Sequence, residues 1–175
     1  MVSLPTQTAQ SRVLGVDTSL RSTGIGILDT LGSKLIPVYY GTVKNPPARP
    51  LSACLVHLSD EIMRLIETYQ PAAVAVEGIF YAKNVKTMLI LSHARGVVIS
   101  QCARMGLPVY EYEPRRVKQA VAGVGGAQKE QVQKMVRTLL HLEEPPQNDA
   151  ADALAIAITH LHNRTALAAL SQKPI

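Results

Sequence analysis

Cysteine is nearly missing from the 175-residue chain: Cys54 and Cys102 stand alone, with no CxxC spacing. That argues against a disulfide scaffold or a cysteine-built zinc site, and it fits a reducing compartment. Aromatics are also scarce, with one Phe, six Tyr and no Trp. No apolar run approaches the ~20 residues of a membrane span. Met1 to Ser11 has neither the basic start nor the hydrophobic stretch of a secretory signal. A soluble, cytoplasmic protein without a membrane partner is the expectation. Charge of one sign is not in large excess either. Lys+Arg number 18 against 13 Asp+Glu, a formal net charge of +5, which only modestly favours a polyanionic partner. Hydrophobic content of 47% with 18% charged residues describes a globular chain, long enough for one well-cored domain.

What is present is a regular alternation of short apolar runs and amphipathic stretches. Arg12 to Asp17 is apolar and ends in an acid, as a buried strand does. Thr18 to Arg21 is a turn, Thr23 to Leu28 a second strand and Lys34 to Val43 a third, joined by connections short enough for antiparallel hairpins. Pro50 suits a first helical turn. Behind it, Leu51, Leu55, Leu58, Ile62, Leu65, Ile66 and Tyr69 recur on one helical face. Ala72 to Glu77 is again an apolar run closed by an acid, and its lack of alternation points to burial on both faces. A helix over 83–105, in which Gly96 offers close packing, precedes a strand from Leu107 to Tyr112. Pro114 opens a short helix to about Ala122. A glycine break follows, then helices over Gln128 to His141 and Asn148 to His162. Flexible tails are expected at 1–11 and 165–175, around a single domain over 12–164.

Three antiparallel strands followed by helix–strand–helix–strand predict an α/β fold of the ribonuclease-H-like kind. It is a five-stranded mixed sheet, order 3-2-1-4-5, with helices on both faces. In that order the strands ending in Asp17 and Glu77 are neighbours, and strand ends of open sheets are where sites form. Taken singly, each acid is equally well read as the start of a loop. Together they repel unless a divalent cation sits between them. Asp149 and Asp152, three residues apart, share a helix face. Asp149 alone fits a favourable first-turn charge. Asp152 lies among small and apolar residues, where an acid is costly unless paired or metal-bound. Four carboxylates on three elements suit hard Mg²⁺ or Mn²⁺ ions. Two such ions about 4 Å apart can serve phosphodiester hydrolysis.

Gly15–Asp17, Val76–Glu77, Phe80–Asn84, Ala94–Gly96, Val117–Gln119 and Asp149–His160 together resemble, in order, the bacterial RuvC family of Holliday-junction resolvases. The resemblance runs over roughly 12–162, and its last helix is the most specific part. It implies a homodimeric, Mg²⁺-dependent endonuclease, with Mn²⁺ as a substitute and up to two ions per subunit. It also implies paired symmetric nicks in four-way junction DNA during homologous recombination and repair, after branch migration by the RuvA and RuvB proteins. Asp17, Glu77, Asp149 and Asp152 fall on the family's metal-binding, catalytic acids. One departure stands out: the family's Asp-Pro-Gly is Asp17-Thr18-Ser19 here, so the turn is expected to use a Thr18 or Ser19 hydroxyl bond instead.

For DNA contact, Phe80 is a loop aromatic able to stack on a base, with Tyr81 a weaker version. Lys118 and Lys129 match the family's phosphate-contacting lysines. Arg115 and Arg116 are further candidates, with Lys83, Lys86, Lys134 and Arg137 behind them. His160 lies about 12 Å along the helix from Asp152 and reads as structural. Residues 115–137 hold six basic residues against one acid, Glu130, so the whole formal excess sits in that window. Three other readings stay open. One is a YqgF-type nuclease acting on RNA. Another is a non-catalytic junction binder. The third is an actin-like ATPase suggested by Gly15 to Gly24, although the chain has no room for that fold's second lobe.

Overall fold

The computed structural model describes residues 11–78, 84–163 and 173–175. In chain order the elements are β1 (Val13–Asp17), β2 (Ser22–Leu31), β3 (Lys34–Lys44), α1 (Leu51–Tyr69), β4 (Ala73–Glu77), α2 (Val85–Arg104), β5 (Val109–Tyr112), α3 (Pro114–Ala122), α4 (Lys129–Leu139) and α5 (Asn148–Asn163). The strands form one sheet in the order β3-β2-β1-β4-β5, as the sequence predicts. β1 runs antiparallel to β2 and parallel to β4, and β4 runs parallel to β5. Pro37 lies in the edge strand β3, where proline is tolerated, beside a bulge opposite Ile27 and Leu28.

Strand alternation sorts the interior into two cores. Leu14, Val16, Val74 and Val76 point to the face covered by α1 and α2. Val13, Ala75 and Tyr112 point to the face covered by α3, α4 and α5. The same period of two puts Asp17, two residues past Gly15, and Glu77, two past Ala75, on the α5 face.

α5 is buried almost all round, from Ala150 to Leu161, so it is a central layer and not an amphipathic cover. It rests directly on β1 and β2 because three facing strand residues are glycines. A Cβ at Gly15 or Gly24 would overlap the backbone carbonyl of Ala153 or Asp149, and one at Gly26 would come within 2.7 Å of the Leu154 nitrogen. Backbone cannot swing aside as a side chain can. We therefore expect Gly24→Ala to destabilise the fold by about 3 kcal/mol or more, read as a lower urea midpoint at unchanged m value. An unchanged midpoint would show that α5 does not need this contact.

Two local expectations change. A Cβ on Gly96 meets nothing within 4 Å, so this glycine does not serve close packing. It lines the open groove between α1 and α2 instead. Pro50 is the residue before α1, not a member of its first turn, and Gln70 ends that helix in the left-handed conformation. α2 begins at an Asn84 cap whose side chain accepts from the Lys86 and Thr87 amides at 3.0 and 3.3 Å. Of the expected tails only residues 11 and 173–175 are described, and there the Ile175 amide donates to the Val109 carbonyl at 2.9 Å. Among the described residues no helix is long and apolar enough to cross a membrane.

Candidate active site

Asp17 ends β1, with Gly24 opposite it on β2. The Gly24 gap lets the start of α5 settle onto that end of the sheet, carrying Asp149 and Asp152 with it. Asp17, Asp149 and Asp152 each offer a carboxylate oxygen, and these oxygens lie within 4.8 Å of one another. The sheet and the last helix thus bring together three of the four acids expected from the sequence. Glu77, at the end of β4, stands outside that close group. It borders the two clefts that flank it, one with Asp17, Thr18 and Ser19, the other with Asp152, Lys118 and Lys129.

The electrostatics fit crowded, half-buried acids. Burial is the largest influence on Asp17, reinforced by the charges of Glu77, Asp152 and Asp149 and opposed by Lys129. Together they push its carboxyl up to about 7. Glu77 is raised in the same direction, by burial first and then by Asp152, while Lys118 and Lys129 oppose. The Lys129 ammonium donates to Asp152 Oδ2 at 2.6 Å, and that bond is the main reason its own pKa is raised. Among the described residues, Lys129 is thus the cation ion-paired with the group. Three hard carboxylate donors converging on one point suit a small divalent cation, which would remove the repulsion that Lys129 only partly relieves.

Two hydroxyls at the site were not legible in the sequence. Ser22 Oγ donates to Asp149 Oδ2 at 2.5 Å, linking the start of β2 to the start of α5. The turn after Asp17 is closed by Thr23, not by the Thr18 or Ser19 hydroxyl. Thr23 Oγ1 donates to the Ser19 carbonyl and accepts from the Ser19 amide at 3.3 Å. No pattern in the chain marks Ser22 or Thr23. Only the antiparallel pairing of β1 with β2 brings Thr23 back to Ser19.

The expected DNA-facing residues divide. Lys118 on α3 and Lys129 at the start of α4 line the cleft beside Glu77 and Asp152. Arg115 packs against the glycine break, where a Cβ on Gly125 would come within 2.7 Å of its Cγ. Arg116 donates to Asn163 Oδ1 at 3.1 Å and lies 5.8 Å from the Tyr112 ring centroid. Phe80, Tyr81 and Lys83 lie outside the described residues. His160 is buried, with Nδ1 2.9 Å from the Tyr112 hydroxyl and its ring against Tyr110, a packing position.

The family model described as crossover junction endodeoxyribonuclease RuvC matches residues 13–160. The chain belongs to the RuvC family. Among its relatives, the crossover junction endodeoxyribonuclease RuvC of Brevibacillus brevis is 45% identical over 154 residues, covering 87% of this chain and 93% of that one. The Desulfitobacterium hafniense (strain DSM 10664 / DCB-2) protein of the same description is 47% identical over 152 residues, with 86% and 92% covered. The solved structure of Thermus thermophilus RuvC in complex with Holliday junction substrate superposes with a TM-score of 0.87 at 34% identity, covering 94% of this chain and 99% of that one. The RuvC match includes all four acids and both lysines, and it runs past Gly78 through α5, the stretch an RNA-directed YqgF-type reading does not explain.

Proposed function

We propose that this protein is a structure-selective endonuclease that resolves Holliday junctions by paired symmetric nicks in homologous recombination and DNA repair. The observation that carries the reading is the convergence of Asp17, Asp149 and Asp152 at the sheet end, inside a chain matched by the RuvC model over 13–160. Asp17, Glu77, Asp149 and Asp152 are the residues that would hold Mg²⁺, with Mn²⁺ as a substitute and up to two ions per subunit. A cation bound there supplies Lewis acidity at the scissile phosphate and lowers the pKa of an attacking water.

The chain's own groups do the rest. The Ser22 hydroxyl holds Asp149 in orientation through its 2.5 Å bond. Lys129 neutralises Asp152 through its 2.6 Å ion pair, and a cation held by the acids would free its ammonium to meet the phosphate backbone. Lys118, on the rim of the same cleft, meets the backbone as a point charge. Phe80 is assigned to stacking at the junction, with Arg115 and Arg116 supporting the basic surface.

Two opposed cuts require two copies of this site, hence a homodimer. Supporting it, the α1–α2 groove carries exposed apolar residues such as Val56, on the face opposite α5. RuvA and RuvB are the partners the family resemblance implies, and the cytoplasm is the compartment in which they would act.

The deciding experiment is an assay with synthetic four-way junctions and mapped cut positions. Symmetric, Mg²⁺-requiring nicks are expected, and binding without cutting in either Mg²⁺ or Mn²⁺ would overturn the reading. Lys118→Ala should lower the slope of log affinity against log salt by about 1. An unchanged slope would remove Lys118 from the DNA surface.

A further inference from the structure

Glu77 is the acid whose placement the close group does not explain. Its strand pairs with β1 only as far as Val16 and Val76. Beyond that point Glu77 is registered against Tyr112 of β5, and the next amide, Gly78, donates to the Tyr112 carbonyl at 2.9 Å. Its carboxylate faces α5, while its own carbonyl is taken by a residue from the opposite side of the sheet. Arg95 of α2, only 8% exposed, donates from Nη1 to the Glu77 carbonyl at 2.6 Å. Its Nη2 is bonded to Glu111 Oε2 on β5.

A guanidinium so buried is costly unless its partners satisfy it. If Arg95 served only to pair with Glu111, two apolar side chains would fill the space as well. What an apolar pair cannot do is hold the carbonyl at the end of β4. The planar fork reaches the two partners from two nitrogens in a fixed geometry, which the single nitrogen of a lysine does not provide.

We propose that Arg95 is a positioning residue for the metal centre. Anchored by Glu111, it clamps the peptide that follows Glu77 and so sets where β4 delivers the fourth carboxylate. This rests on the reading of the site as a divalent-cation centre and adds to it a brace on the far face of the sheet. α2 then supports the chemistry from behind through Arg95, while its Leu91 lines the cleft beside Asp17 and Glu77.

The test uses the full chain, with Mn²⁺ binding followed by electron paramagnetic resonance without DNA, and junction binding measured in EDTA. Arg95→Lys, and the paired Arg95→Met/Glu111→Leu variant that leaves no buried charge unpaired, should each bind Mn²⁺ about 10-fold or more weakly. The Mn²⁺ concentration giving half-maximal cleavage should rise by the same factor, with junction affinity in EDTA unchanged. If the paired variant fails to fold, Arg95→Lys alone decides. Wild-type Mn²⁺ affinity in a folded variant overturns the assignment of Arg95 and leaves the proposed nuclease standing. A wild-type protein that neither binds Mn²⁺ nor cuts overturns the site reading and this inference with it.

Discussion

Asp152→Asn will leave junction binding intact and lower cleavage by about a thousandfold or more. Asp152 is one of the three acids whose oxygens lie within 4.8 Å of one another, and its only described salt bridge is with Lys129. Asparagine keeps the shape and one acceptor oxygen but removes the charge that a cation needs. Charge stabilisation by a bound cation contributes several kcal/mol to the transition state, and each 1.36 kcal/mol is tenfold in rate. Binding through the basic cleft rim, as proposed, is expected to persist. It should strengthen slightly at low salt, because Lys129 loses its ion pair and one fewer negative charge faces the phosphates. The check is a gel-shift titration in parallel with single-turnover cleavage. Cleavage at the wild-type rate would remove Asp152 from the metal site, and loss of binding would show that its role is structural.

The second large effect is on pH. Without metal, the Asp17 carboxyl lies at about 7, against an ordinary value near 3.8. The folded state thus holds this proton more tightly than the unfolded chain does. Its contribution to stability is fully present below the ordinary carboxylate pKa and is lost as pH rises through about 7. The loss is on the order of 4 kcal/mol between those limits, and Glu77, also raised, acts with the same sign. Asp17→Asn should remove most of that slope. The difference between wild-type and variant urea stabilities, measured in EDTA at pH 4.5 and pH 8, isolates it from the histidines. Because a cation competes with the proton, wild-type Mn²⁺ affinity should rise with pH up to about 7 and then level off. A flat difference between the two proteins across this range would mean that Asp17 is not the proton-holding group.

Much of the frame was legible because it follows from local periodicity. Apolar runs closed by Asp17 and Glu77, helical spacing from Leu51 to Tyr69, and Pro114 at a helix start all lie where the structure has them. Short connections give the antiparallel hairpins, the ribonuclease-H-like arrangement that the elements match supplies the full strand order, and alternation by itself aims Asp17 and Glu77 at one face. The glycines were harder to read. Gly96 looked like a packing glycine because it interrupts a helix, yet it faces open space. Gly15, Gly24 and Gly26 look like ordinary strand residues, yet they are what allows α5 to touch the sheet. A close approach is a property of two elements, and a sequence shows them one at a time.

The basic window shows the same division. Its charge excess over 115–137 was countable. How the charges would be spent was not. Lys118 and Lys129 line the cleft, whereas Arg137 donates to the Leu142 and Glu143 carbonyls, and Arg116 reaches Asn163. The amino-acid sequence by itself determined the elements and their helical or strand character, which rest on residue type and spacing along the chain, and the resemblance of its motifs supplied the sheet order, the family and the four candidate acids. Only the tertiary structure decided which acids converge, that Lys129 balances Asp152, that Ser22 and Thr23 brace the site, and that Arg95 holds the end of β4 from behind. Apart from the local Ser19–Thr23 turn, those are distances between residues far apart in sequence, and they exist only once α5 has packed against the glycine face and α2 against the other.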